Sequence, residues 1–390
     1  MTHIAKGILY IGADDKTQDL FEGQYIIPEG MAYNSYLIEG EKIAIMDTAD
    51  ACVAEQWKAN LLEALGGRTP SYLVVHHMEP DHSALIAWVQ EQFPSIEIVA
   101  SAKAIQFLGQ FFEGSFRTLA VKEGDVLDLG GFSLKFLAAP MVHWPEVLVS
   151  FESTTGCLFS ADAFGKFGAL ADCGFFADED GDWACEARRY YFNICGKYGL
   201  PVQTLLKKVS ALPIKVICPL HGPIIRQDLG SYTGLYETWS SYGVETPGVF
   251  VAYASMHGCT AEAALKLAEI LKAKGCPKVA VSDLCRDDMA EAVEDAFRYG
   301  KMVLAASTYD GGLFTPAYNF LHTLQMKAYQ KRRVAIIENG TWAPAAARVM
   351  TEMLGAMKDV EVVAPTVTLR STLKPSDIPA LEALADAIIS

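Results

Sequence analysis

Up to about residue 225 the apolar residues come in short runs broken by turn-forming residues, a pattern that favours strands over long helices. Tyr36-Leu37-Ile38 and Ile43-Ala44-Ile45-Met46-Asp47 flank Glu39-Gly40, predicting a hairpin that ends in an acidic residue. Strand and helix signals then alternate without the regular βα period of a Rossmann fold. A helix is predicted over Leu229–Ser241, and Gly243-Val244-Glu245-Thr246-Pro247-Gly248 reads as a linker. From Val249 the rhythm becomes regular. Apolar strands at Val249–Ala254, Val279–Val281, Met302–Ala306, Val334–Ile337 and Val360–Val363 alternate with helical patterns, predicting a doubly wound parallel sheet. The pattern divides the chain into an N-terminal domain over 1–247 and a C-terminal domain over 248–390.

The 390 residues are enough for two domains, each with its own core, and 51% hydrophobic content with 20% charged residues is that of a soluble globular protein. The formal net charge of −15 argues against a nucleic-acid backbone or an anionic membrane as partner. No apolar run approaches membrane-spanning length, and Met1-Thr2-His3-Ile4-Ala5-Lys6 lacks a signal-peptide pattern. The nine cysteines form no C-x-x-C pair, which argues against structural disulfides and against a cysteine-ligated metal module; a reducing cytoplasm is the expected setting.

Chemistry concentrates in His77-Met78-Glu79-Pro80-Asp81-His82, which follows the apolar run Leu73-Val74-Val75 and precedes a helix predicted from near Ser83. Three more metal-capable residues each follow a strand-like run: His143 after Leu134–Val142, Asp162 after Cys157–Ala161, and His221 after Val216–Leu220. Any one of these side chains alone would be judged a helix cap or a core polar group. Four imidazoles and three carboxylates without a thiolate suit first-row divalent ions such as iron, manganese or zinc. Seven donors are too many for one tetrahedral ion and suit two ions sharing a carboxylate. Glu79, Asp81 and Asp162 set three negative charges against four positive, leaving a residue of charge for an anionic ligand. His76 alternates in face with His77 and is expected either behind the ligands or facing solvent.

The order H-x-E-x-D-H, lone His, lone Asp, lone His resembles that of the flavodiiron proteins, and the resemblance extends over essentially the whole chain. It implies an N-terminal αββα metallo-β-lactamase-like sandwich and a C-terminal flavodoxin-like doubly wound parallel sheet, a two-domain chain of mixed α/β and α+β class. Carried over by position, it gives one iron His77, Glu79 and His143 and the other Asp81, His82 and His221, with Asp162 between them. Hydrolytic members of the superfamily typically have a second His where this chain has Glu79. The resemblance also implies a tyrosine close to the irons, matched by Tyr190 or Tyr191.

Three loops of the second domain fit an FMN site. Ser255-Met256-His257-Gly258-Cys259-Thr260 lies between the first strand and a helix predicted over Ala261–Lys274, where hydroxyls and backbone N–H groups can wrap a phosphate. It resembles the flavodoxin phosphate loop, with Cys259 a departure. Ser307-Thr308-Tyr309-Asp310-Gly311-Gly312 and Asn339-Gly340-Thr341-Trp342-Ala343 follow the third and fourth strands, with Tyr309 and Trp342 available to cover the flavin ring. Neither a dinucleotide fingerprint nor a P-loop is present. The expected function is therefore electron transfer from an outside donor through FMN to a diiron pair that reduces dioxygen to water or nitric oxide to nitrous oxide. The expected donor is a protein such as rubredoxin, a reduced deazaflavin or a flavin reductase, and the expected assembly a head-to-tail homodimer or a dimer of dimers. The competing readings are a dizinc hydrolase with an accessory flavodoxin domain and a flavin-only electron carrier.

Overall fold

The structure is a computed structural model describing residues Thr2–Ser390. The chain divides into two compact units, one running to Tyr191 and including Leu200–Glu237, the other made of Phe192–Gly199 and Thr238–Ser390.

In the first unit two sheets pack face to face. The seven-stranded sheet orders Thr2–Ala5, Ile8–Tyr10, Tyr36–Ile38, Ala44–Met46, Tyr72–Val74, Glu97–Ser101 and Thr118–Val121. The expected hairpin is present, with Tyr36 opposite Met46 and Ile38 opposite Ala44. The five-stranded sheet runs Val126–Asp128, Ser133–Ala138, Leu148–Glu152, Cys157–Phe159 and Val216–Cys218. Ile38, Met46, Val74 and Val99 from the first sheet meet Leu134, Phe136, Leu148 and Phe159 from the second in one buried core. The short central strands are buried at every position, so they read as continuous apolar runs rather than alternating ones. Helix Ala54–Leu65 buries Trp57, Leu61, Ala64 and Leu65, one helical face, and ends at Gly66 in the left-handed conformation with φ 56°.

The second unit is a parallel sheet in the spatial order Val279–Asp283, Thr246–Ala254, Tyr299–Tyr309, Arg332–Asn339, Val360–Leu369, as expected of a flavodoxin-like fold. Its strands extend beyond the apolar runs that predicted them, and Thr246–Ala254 begins inside the segment read as a linker. Helices Cys259–Ala273 and Ile378–Ile389 bury Leu267, Leu271, Leu381 and Ile388 against one face of this sheet.

Two local expectations are corrected. The helix after the metal-capable loop starts at Pro80, not Ser83, so Asp81 and His82 lie on a short helix over Pro80–Ser83. Proline in the first helical turn needs no N–H partner there, which favours that start. The strand leading to His143 ends at Ala138, leaving a loop from Ala139 to Val147.

Candidate metal centre and ligand pocket

Strand ends of both sheets deliver the seven donors to one place. Tyr72–Val74 leads to His77 and Glu79, Cys157–Phe159 to Asp162, and Val216–Cys218 to His221. Non-glycine residues in the left-handed region turn the chain close to two of them, Met141 with φ 66° before His143 and Ala161 with φ 52° before Asp162. Such conformations are uncommon for residues with a side chain and collect at functional sites.

The donors form two groups, His77, Glu79, His143 and Asp162 in one and Asp81, His82 and His221 in the other. Glu79 Oε2 lies 3.1 Å from Nε2 of both His77 and His143. Asp81 Oδ2 lies 3.2 Å from Nε2 of both His82 and His221. Asp162 faces both groups: Oδ2 is 3.4 Å from His77 Nε2, and Oδ1 is 3.2 Å from His82 Nε2.

Burial alone would lower the His77 and His82 pKa values, but Asp162 and the neighbouring carboxylates outweigh it. His77 is raised well above the ordinary value, and His82, beside Asp81 and Asp162, is raised to about 9. Burial would raise the carboxylates, yet hydrogen bonds from His143 and His77 bring Glu79 down to about 2, and the surrounding imidazoles depress Asp162 strongly. The cluster thus demands cationic partners for its acids. Both carboxylate oxygens of Asp81 and of Asp162, and both ring nitrogens of His82, are buried without a hydrogen-bond partner. Buried anionic oxygens left unpaired are costly, and divalent cations between the two groups would satisfy them. The donor set fits a dimetal centre.

Residues behind the donors fix their tautomers. His77 Nδ1 is 2.7 Å from Glu146 Oε1, which also accepts from the Met78 N–H at 3.0 Å, and His221 Nδ1 donates to the Ala32 carbonyl at 2.8 Å. Both arrangements leave Nε2 turned towards the cluster. Glu146 was not picked out from the sequence; its position three residues after His143, in a loop that a buried strand follows, was the available signal. Replacing it by Gln should weaken metal binding ~10–100-fold, measurable as metal retained after dialysis against a chelator.

His76 does not face solvent. Its side chain is 1% exposed, with Nδ1 2.5 Å from Asp47 Oδ2 and Nε2 2.8 Å from Ser150 Oγ. Of the two candidate tyrosines, Tyr190 has its ring centroid 5.6 Å from that of His221, whereas Tyr191 packs against Tyr236 at 5.1 Å. A cavity of about 220 Å³ opens beside the donors, bounded by Phe21, Glu22, Tyr33, Asp50, Glu79 and Asp81.

In the second unit, a cavity of about 640 Å³ gathers every residue of the three predicted loops except Gly258 and Gly312, and adds Ser371. It lies at the C-terminal ends of the first, third and fourth strands, the switch-point position of this topology. Gly258 precedes helix Cys259–Ala273 at φ 90°, a conformation costly for any residue with a Cβ, and its N–H donates to Ser255 Oγ at 3.1 Å. Thr260 Oγ1 and Ser307 Oγ are 2.8 Å apart, tying the first loop to the second. Thr308 Oγ1 accepts from the Ala345 and Ala346 N–H groups at the start of the next helix. Asn339 donates to the Ser371 carbonyl and accepts from the Ser371 N–H, an anchoring contact that sequence pattern did not reveal. Trp342 is 81% exposed and Tyr309 46% exposed at the rim, so each has a face free to cover a planar ligand.

A dimetal-type donor set on an αββα sandwich, carried in one chain with a flavodoxin-like unit, defines a two-unit α/β architecture. Residues 31–222 match the family model described as "ODP family beta lactamase". The chain is 32% identical over 336 residues to a putative diflavin flavoprotein A 1 of Nostoc sp., covering 84% of this chain and 56% of that one. It is 27% identical to the anaerobic nitric oxide reductase flavorubredoxin of Vibrio vulnificus, covering 87% of this chain and 70% of that one. The rubredoxin oxygen:oxidoreductase of Desulfovibrio gigas shares the fold with a TM-score of 0.94 at 24% identity, covering 100% of this chain and 97% of that one. The chain is a homologue of the diflavin flavoproteins and has the flavodiiron fold. It spans 56–62% of the length of the first curated relatives it matches.

Proposed function

We propose that this chain is an oxidoreductase that reduces dioxygen to water, nitric oxide to nitrous oxide, or both. Its cofactors are a pair of non-haem irons held by His77, Glu79, Asp81, His82, His143, Asp162 and His221, and FMN held by the three loops of the second unit. The observation that carries this reading is Asp162, a buried carboxylate with one oxygen towards each donor group and no hydrogen-bond partner. When bound, iron supplies a redox-active Lewis acid and flavin supplies exchange between two-electron and one-electron steps. Around them the protein's own groups orient and exclude. Glu146 and the Ala32 carbonyl fix two imidazoles, and the rings of Phe21 and Tyr190 shield His221 from water. The relatives, one a nitric oxide reductase and one an oxygen:oxidoreductase, support both substrates. Glu79 supports reduction over hydrolysis, because it places a hard anionic donor between two imidazoles.

The remaining parts of the reading are the division of labour at 247/248, a separate electron donor such as rubredoxin, and a head-to-tail homodimer or dimer of dimers. The test is elemental and flavin analysis of the purified chain, followed by gas consumption after photoreduction. Two irons and one FMN per chain with rapid uptake of either gas are expected. Two zincs with ester or lactone hydrolysis would replace the reading with the dizinc hydrolase.

A further inference from the structure

Tyr33 takes no part in the donor set, yet its surroundings point to a role. It ends the short strand Met31–Tyr33, which pairs with Ala13–Asp15 and so holds its backbone in place. The residue is 2% exposed and lines the 220 Å³ cavity together with Glu79 and Asp81, one donor from each metal group. Its ring meets the His221 imidazole edge to face, with centroids 5.8 Å apart at 69°. Phe21 approaches the same imidazole edge to face at 5.4 Å. The two rings form an aromatic wall over one metal ligand, but they differ in one respect: Tyr33 carries a hydroxyl.

That hydroxyl has no hydrogen-bond partner among the described residues, whereas those of Tyr10 and Tyr36 bond to Asn34 Oδ1 and to the Pro219 carbonyl. A tyrosine buried this deeply usually pairs its hydroxyl. Phenylalanine would fill the wall equally well, whereas the hydroxyl stays open to water or any ligand that enters the cavity. Of the other polar side chains lining the cavity, Glu22, Asp50, Glu79 and Asp81 can accept but not donate when ionised, and the Gln18 amide donates to Cys52 Sγ at 3.0 Å. An anion arriving there needs a donor, and the phenol supplies one.

We propose that Tyr33 is a catalytic residue whose hydroxyl donates a hydrogen bond to the small oxidant, or to its reduced anionic form, in the cavity beside Glu79 and Asp81. This rests on the reductase reading above and adds to it a substrate contact from outside the metal ligands. A phenol donor favours an anionic, partly reduced ligand over the neutral gas, since hydrogen bonds to charged acceptors are the stronger ones.

The test uses azide, a small anionic probe, titrated against the oxidised, iron-loaded full chain and followed by its absorption band. Tyr33→Phe keeps the ring against His221 and removes only the hydroxyl. The variant should keep its iron content and thermal midpoint, bind azide about 10-fold more weakly, and lose kcat in gas reduction more than it changes KM. As a second measurement on the unaltered protein, the infrared stretch of bound azide should shift between H₂O and D₂O, and that shift should be absent in the variant. Unchanged azide affinity with iron in place would overturn the role of Tyr33 and leave the reductase reading intact. A chain that takes up no iron under any loading condition would overturn both.

Discussion

Replacing Asp162 by Asn should leave the protein folded but unable to hold a metal pair. The carboxylate sits where both donor groups need it, with Oδ2 within 3.5 Å of His77 and His143 and Oδ1 within 3.7 Å of His82 and His221. An amide keeps one acceptor oxygen and turns an N–H₂ group towards imidazoles that must present lone pairs to a metal. Iron content should fall from two to one or fewer per chain, and gas reduction should fall beyond the ~10–100-fold typical of losing an outer partner of a metal ligand. Far-ultraviolet circular dichroism should be unchanged. Retention of two irons with full turnover would remove Asp162 from the donor set.

The second large effect lies where no metal is expected. Asp47, 1% exposed, ends its strand at φ 55°, accepts from the His76 N–H at 2.7 Å and faces His76 Nδ1 at 2.5 Å. Its N–H donates to the Val74 carbonyl, and its own carbonyl accepts from Ser35 Oγ. Asp47→Ala would strand a buried imidazole and a buried N–H, and would ask alanine to hold a left-handed backbone, at a combined cost of about 3–5 kcal/mol. Asp47→Asn should recover part of this, since asparagine accepts a hydrogen bond and tolerates that conformation. Urea denaturation followed by intrinsic fluorescence measures the difference; an alanine variant as stable as the parent would show the network to be dispensable.

The second unit was readable because each buried parallel strand is a continuous apolar run and each turn carries glycine or a hydroxyl residue. The donor set was readable because four metal-capable side chains in six positions cannot be explained as one cap. What lay hidden is what three-dimensional pairing alone creates. The neighbours of Glu146 and Asp47 in the sequence do not say which imidazole each holds, since His77 and His76 lie far away along the chain. Of the two places open to His76, behind the ligands or facing solvent, alternation could not choose, because the segment is already leaving its sheet and both of its faces are covered. The late helix start near Ser83 came from following apolar periodicity past a proline that opens the helix.

The donors are unevenly distributed along the chain. His77, Glu79, Asp81 and His82 come from the end of one sheet, while His143, Asp162 and His221 arrive singly from the other. During synthesis the first four emerge together, before the opposing sheet exists; the first donor group is complete only once Asp162 has been made, and the second only once His221 has left the ribosome. A bound pair would then act as a rivet through the sandwich, adding to cohesion by RT ln(1 + [L]/Kd) for each ion bound only by the native form. Loading with iron and resistance to heat should therefore rise together, and a preparation starved of metal while it is being made should unfold at a lower temperature.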